Sequence, residues 1–346
     1  MAPKPVDEAF VKALPKIELH AHLSGSISRQ CLHELWVQKK NQNPDFPVED
    51  PLVLMPPERS IIPLKRTLPI RNFDDNIYST NSVLEDFMND GVVYLELRTI
   101  PRASPGISRE QYVDTVLKTI ETFRAKGNQM SVFLILAIDR GNMSAAEGDE
   151  IINLAIENKP RGVVGVDICG NPTRGDISIH KDSFSKAKLN GLGITLHFAE
   201  TAASSSQNEL ATLLSFQPDR ISHVIHVPDD VKQEILRRNL GLELCISCNV
   251  HAKMINGGYL DHHFGYWRHG DCPIALCTDD VGFFCSPVSN EHLLAAHHFG
   301  LSRTDLLSLV HKAVDAIFAG QDQKDKVRKV LAEFVATLDA ESLGES

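Results

Sequence analysis

The chain has 346 residues, 42% hydrophobic and 23% charged, a balance that suits a soluble globule with a sizeable core. A formal net charge of −10 argues against a nucleic-acid partner, because an acidic surface repels phosphate backbones, and a small anionic substrate would need local cations. The opening Met-Ala-Pro-Lys-Pro-Val-Asp-Glu lacks the apolar core of a signal peptide, the longest apolar runs are too short to cross a membrane, and seven scattered cysteines (31, 169, 245, 248, 272, 277 and 285) fit reduced thiols in the cytoplasm.

Eight short β-rich runs are predicted: Lys16–Leu23, Val92–Thr99, Ser131–Asp139, Gly162–Cys169, Gly193–Glu200, Arg220–His226, Leu240–Cys248 and Cys272–Asp279. Most are near-continuous apolar runs, the pattern of parallel strands covered by helices on their faces. Helical stretches fill the gaps. Ser82–Asp90 ends at Gly91, and Ser108–Lys126 opens on a Ser108-x-x-Gln111 capping box and ends at Gly127. Ser144–Asn158, Asp182–Asn190, Gln207–Ser215 and Asp229–Asn239 follow, and Asn290–Phe299, Arg303–Ala319 and Gln323–Leu338 come after the eighth strand. Alternating strands and helices predict the α/β class, and eight strands predict a (β/α)8 TIM barrel with extra C-terminal helices. One domain over 1–346 is expected, with 1–14 and 340–346 as terminal extensions and the Pro-rich 41–69 as a surface excursion. A doubly wound sheet is the alternative, but no Gly-x-Gly-x-x-Gly or P-loop pattern follows a strand. No exposed apolar stripe stands out, so a monomer is expected.

Chemistry collects at one end of these strands. In Glu18-Leu19-His20-Ala21-His22-Leu23-Ser24-Gly25, strand alternation puts both imidazoles on one face. Other strands end in Thr99-Ile100-Pro101-Arg102, Asp139-Arg140, Asp167-Ile168-Cys169-Gly170, His197-Phe198-Ala199-Glu200, Ser222-His223 and Thr278-Asp279-Asp280. A barrel of this kind gathers its catalytic groups at that rim. His20, His22, His197 and Asp279 make a ligand set suited to one Zn2+ with room for a water, whose pKa the metal brings toward neutrality. Glu200 is placed to shuttle a proton, His223 to stabilise or deprotonate the water, and Asp280 to accept a hydrogen bond from substrate. Taken singly, His197 or His223 would read as a satisfied buried histidine and Asp279-Asp280 as a helix N-terminal pair. Cys245-x-x-Cys248 reads as buried small hydrophobes, His262-His263 and His297-His298 as surface or packing groups, and Glu96 and Arg98 as an internal ion pair, with assistance to the site the alternative for Arg98.

These residues, in this order, resemble the adenosine/AMP deaminase branch of the metal-dependent amidohydrolases over essentially the whole chain. The carriers are 14–23 (Leu-Pro-Lys-Ile-Glu-Leu-His-Ala-His-Leu), Tyr94-Leu95-Glu96-Leu97-Arg98, 167–172, 197–200 and Cys277-Thr278-Asp279-Asp280. Tyr94 to Arg98 followed by Thr99-x-Pro101-Arg102 is similar to the adenosine deaminase-like subgroup, the N(6)-methyl-AMP deaminases. The resemblance implies zinc on His20, His22, His197 and Asp279, and a proton from Glu200 to purine N1. It implies His223 orienting the attacking hydroxide, Asp280 at N7 and the Gly170 N–H at N3, with His22 and Asp139 also lining the substrate. Nucleoside deaminases of the family carry Asp just after His-x-His-Leu, and this chain has Ser24. A carboxylate would repel a 5′-phosphate, a hydroxyl can donate to it, and Thr99 and Arg102 are further phosphate contacts. The expected substrate is therefore a purine nucleoside monophosphate, N(6)-methyl-AMP giving IMP and methylamine; adenosine or adenine is the alternative.

Further departures are Ser222 where the family has Gly, narrowing a spot near the base, and Phe198-Ala199 after His197. A third lies between the first two strands. Compared with the family's aromatic-rich roof, the stretch through Pro69-Ile70-Arg71-Asn72-Phe73 is about ten to fifteen residues short on ordinary helix lengths. A shortened roof would leave the pocket wetter, and a non-catalytic purine-binding relative is the reading from another class.

Overall fold

The computed structural model describes residues 4–54, 73–104 and 106–344; the stretch running up to Asn72, with its proposed short roof, lies outside the described residues. Eight parallel strands pair in sequence order: β1 (Lys16–His22), β2 (Val92–Thr99), β3 (Ser131–Asp139), β4 (Val163–Cys169), β5 (Gly193–Phe198), β6 (Arg220–His223), β7 (Gly241–Leu244) and β8 (Ile274–Leu276). The ring closes beyond the end of β8. Ala21 bridges Asp279 in parallel, the His22 N–H donates to the Asp279 carbonyl at 3.0 Å, and the Asp279 N–H donates to the His20 carbonyl at 2.8 Å. The result is a nearly closed (β/α)8 TIM barrel, as the strand count predicts.

Helix starts follow the sequence. Ser108 and Ser144 open helices Arg109–Ala125 and Ala145–Glu157 with capping boxes to Gln111 and Glu147. After β8 come Val288–Phe299, Arg303–Ala313 and Gln321–Gly344, the expected C-terminal helices. Part of this extension plugs the bottom of the barrel. The Phe318 ring lies 3.5 Å from the Arg220 guanidinium, and a side chain at Gly193, the first residue of β5, would come within 2.4 Å of that ring.

Three predicted runs stop short as strands for a shared reason. β5, β6 and β8 give way to backbone that bends at Ala199 (φ 51), His223 (φ 63), Val224 (φ 48) and Asp279 (φ 60). Non-glycine residues with left-handed φ carry strain, which gathers where function fixes the chain. The run 240–248 contains β7 and then helix Ile246–His251, because a short apolar run reads alike as either element. The seven cysteines are free thiols. Among the described residues no helix is long and apolar enough to cross a membrane.

Candidate active site

At the C-terminal mouth of the barrel four imidazoles and a carboxylate converge. His20 and His22 sit two apart on β1, His197 on β5 and His223 at the end of β6, with ring centroids 4.8–5.3 Å apart for the neighbouring pairs. Asp279 Oδ1 lies 3.4 Å from Nε2 of both His20 and His22, and Nε2 of His22 lies 3.2 Å from Nε2 of His197. The ligating atoms fall into two overlapping groups, His20/His22/His197 and His20/His223/Asp279, each within 4.8 Å. The cluster fits a cation. Nε2 of His20 and of His223 are buried with no hydrogen-bond partner, and nitrogen with carboxylate oxygen is the donor set of a borderline divalent ion. Burial and Arg98 push the His20 imidazolium pKa down, but Asp279 and Glu243 outweigh them and hold it at about 9. That surplus of negative charge is what a divalent cation would neutralise. Burial holds His22 well below the usual histidine range, and so neutral, as a ligand must be.

The carboxylates behind the cluster are the part sequence reasoning missed. Glu243 on β7 faces Nδ1 of His20 at 2.8 Å and takes a hydrogen bond from Arg98 Nη2 at 2.6 Å on the same oxygen; its other oxygen accepts from Arg220 Nε and Thr195 Oγ1, both at 2.7 Å. Asp167 on β4 faces His197 Nδ1 at 3.1 Å and accepts from Arg98 Nη1 at 2.9 Å. Carboxylates behind metal-binding imidazoles fix ring orientation and tautomer. The expected Glu96–Arg98 ion pair does not form. Glu96 pairs with Arg220 and Arg98 spans Asp167 and Glu243, because inside a barrel the partners come from other strands. The available signal was a lone charge in an apolar strand, Leu242-Glu243-Leu244.

Other neighbours fall within expectation and add contacts. Cys248 is buried, but its thiol donates to Asp279 Oδ2 at 2.9 Å, so it does more than fill space. His262 is buried with Nε2 3.0 Å from Asn249 Oδ1, and His263 Nε2 lies 2.5 Å from the His223 carbonyl. Both pack, and neither is a surface group. His297 is exposed on helix Val288–Phe299. Ser222 donates to the Leu196 carbonyl at 3.3 Å, spending its hydroxyl on the neighbouring strand.

Two carboxyls at the mouth are shifted upward. Burial raises Glu200 above the usual range, the direction that keeps a carboxylic acid protonated for donation. Burial and the neighbouring Asp279 charge push Asp280 well up as well. In its acid form Asp280 would donate, and as a carboxylate it would accept as expected. Gly25 makes room for it, since a Cβ at position 25 would lie 1.5 Å from Asp280 Oδ1.

Beside His22 opens a cavity of about 580 Å³ lined by Ser24, Thr99, Arg102, Ser104 and Tyr112 among others. Thr99 Oγ1 lies 2.7 Å from the Tyr112 hydroxyl. Arg102 is exposed and enters no ion pair among the described residues. Asp139 is occupied at the end of β3, accepting from the Gly141 N–H at 3.1 Å and Asn142 Nδ2 at 2.8 Å. Gly170 has φ +101, and a Cβ there would come within 2.6 Å of Asp139 Oδ1, so the position needs glycine. The structure thus brings His20, His22, His197, His223 and Asp279 into one cluster, with Ser24, Thr99 and Arg102 in the adjoining cavity.

A TIM barrel with a histidine–aspartate cluster at its C-terminal mouth suits metal-assisted hydrolysis. The family model for adenosine deaminase matches residues 15–334. The chain belongs to the adenosine deaminase family and is a deaminase. It is 33% identical over 339 residues to the Xenopus laevis N6-methyl-AMP deaminase-L, covering 92% of this chain and 94% of that protein. It is 30% identical over 348 residues to the Homo sapiens N6-methyl-AMP deaminase, covering 94% and 95%. Among solved structures it resembles Arabidopsis ADAL complexed with IMP, with a TM-score of 0.84, 32% identity, and 94% and 98% of the two chains covered.

Proposed function

We propose that the protein hydrolyses a purine nucleoside monophosphate, N(6)-methyl-AMP, to IMP and methylamine in the cytoplasm, with one Zn2+ per chain held by His20, His22, His197 and Asp279. When bound, zinc supplies the Lewis acidity that makes a water nucleophilic near neutral pH. Glu200, which burial shifts toward its acid form, gives its proton to purine N1, which makes C6 the electrophilic carbon. His223 orients the attacking water. Burial and the Asp279 charge shift Asp280 toward its acid form, in which it donates to N7, and the Gly170 N–H donates to N3; both ring nitrogens are acceptors.

One observation carries the choice of a monophosphate. The cavity beside His22 contains Ser24 and Arg102 and, among the described residues, no carboxylate in its lining, within a chain of net charge −10. Such a wall accepts a dianion, and an arginine fork matches phosphate oxygens. The N6-methyl-AMP deaminase names of the relatives, and the IMP and GMP carried by solved Arabidopsis ADAL, support the same reading. The test is turnover of N(6)-methyl-AMP, AMP and adenosine by purified zinc-loaded protein, with metal content measured in parallel. The methylated monophosphate is expected to have the highest kcat/KM. Preference for adenosine would refute the phosphate reading, and zinc-loaded protein with no turnover would refute the enzyme reading.

A further inference from the structure

A chain of three hydrogen bonds reaches the site from the backbone beyond β7. The Phe264 N–H donates to Nδ1 of His262 at 3.0 Å, Nε2 of His262 lies 3.0 Å from Oδ1 of Asn249, and Nδ2 of Asn249 lies 3.1 Å from Nδ1 of His223. Only the first bond has a direction fixed by chemistry, since a peptide N–H cannot accept. That one direction propagates. Nδ1 of His262 accepts, so the ring proton sits on Nε2, which donates. The atom of Asn249 facing it must be the oxygen, so the amide nitrogen faces His223 and donates to Nδ1. His223 therefore carries its ring proton on Nε2. That Nε2 is buried, has no partner and lies 3.9 Å from Asp279 Oδ2. The His263 contact to the His223 carbonyl at 2.5 Å helps hold the strained backbone that aims the ring.

Two of the other imidazoles receive the opposite instruction. Nδ1 of His20 and of His197 face carboxylates, Glu243 and Asp167, which can only accept when ionised. Nδ1 keeps its proton in each, so Nε2 is the atom each ring can offer to a metal. The partners behind the rings thus sort the cluster: carboxylates make ligands and an amide makes a donor.

We propose that Asn249 and His262 are positioning residues whose relay fixes His223 as the Nε2–H tautomer, barring it from the metal and making it a hydrogen-bond donor to the attacking oxygen. This rests on the deaminase reading above. It separates the two overlapping ligand groups, excluding His223 as a ligand, and it decides between stabilising and deprotonating the water, since a protonated Nε2 cannot take a proton.

The test combines a spectrum with turnover, using zinc-loaded protein. Long-range 15N–1H correlation of histidine side chains, with His223→Asn identifying the His223 signals, is expected to show the proton on Nε2. In Asn249→Asp the carboxylate accepts from both rings, so the His223 proton is expected to move to Nδ1. At unchanged zinc content and KM, kcat should fall about 10- to 100-fold, the usual cost of losing a partner behind a metal site. His262→Leu should lower kcat similarly, and His262→Gln, whose amide can still donate to Asn249, should recover most of it. A wild-type spectrum with the proton on Nδ1 of His223 overturns the relay, as does Asn249→Asp with zinc content and kcat both unchanged. Wild-type protein that turns over no purine would refute the deaminase reading, while the spectrum would still decide the tautomer.

Discussion

Glu243→Gln is the perturbation that tests the interior most directly. The substitution keeps the shape and removes the charge that His20, Arg98, Arg220 and Thr195 share. Whichever way the new amide turns, its NH2 faces an arginine N–H, because one carboxylate oxygen serves Arg98 and the other Arg220. Breaking a buried, fully engaged charge pair costs about 3–5 kcal/mol. At the usual unfolding entropy per residue, a chain of 346 residues should lose about 4–7 °C in Tm. The same change replaces the charged acceptor behind Nδ1 of His20 with a neutral amide, so zinc affinity should fall about 10- to 100-fold. The pH dependence has a sign. Burial pushes the Glu243 carboxyl up, but Arg98 and Arg220, followed by His20, hold it well below the usual range. The wild type therefore has this stabilisation in full above the ordinary glutamate pKa and loses it as pH falls toward the depressed value; Glu243→Gln should flatten that acid limb. Thermal unfolding by circular dichroism at neutral and acid pH, with a chelator competition for zinc, measures both effects. A Tm within 1 °C of wild type together with unchanged zinc affinity would refute the reasoning.

Glu200→Gln should lower kcat by about 10²–10⁴-fold, the range for a general acid, with zinc content retained. Because burial raises the Glu200 pKa, wild-type turnover should hold through the ordinary carboxylate range and fall as pH rises through the raised value; a profile with no such alkaline limb in kcat/KM would count against Glu200 as the donor. Arg102→Ala should raise KM for the monophosphate at least about tenfold, the worth of a hydrogen bond to a charged group, and leave adenosine kinetics alone. Equal effects on both substrates would place Arg102 away from the phosphate. Gly25→Ala should cost about a hundredfold in kcat/KM, as loss of one aligned donor does, because its Cβ would lie 1.5 Å from Asp280 Oδ1. Retained activity would mean that Asp280 does not contact the base.

The barrel was legible because its signals are local. Val92–Thr99 and Ser131–Asp139 fall where the apolar runs predict, and Ser108 and Ser144 cap the helices they open. Strand ends were less legible wherever strained backbone sets them. Nothing in Arg220–His226 says that His223 and Val224 adopt left-handed φ, since β-branched valine rarely does so. The histidines and Asp279 were legible because strand alternation and the rim rule of barrels place them before any contact is known. Glu243 was not. Its partner His20 is 223 residues away, and β7 reaches β1 only across the barrel. Asp280 was legible in position, but its upward shift was not, because proximity to Asp279 and burial together cause it.

The interior explains why the second layer escapes a strand-by-strand reading. Inward positions of such barrels are usually filled with branched apolar side chains. Here Glu18, Glu96, Arg98, Asp167, Arg220 and Glu243 are all fully buried, a costly filling on stability grounds alone. Arg98 links Asp167 behind His197 to Glu243 behind His20, and Arg220 links Glu243 to Glu96 at the strand bottoms. The arginines help hold Asp167 and Glu243 below the usual carboxylate range, and an ionised carboxylate can only accept, so the histidine before each must offer Nδ1–H and turn Nε2 to the metal position. The buried charge is therefore the means by which the barrel assigns tautomers. At His223, where an amide replaces the carboxylate, the assignment reverses.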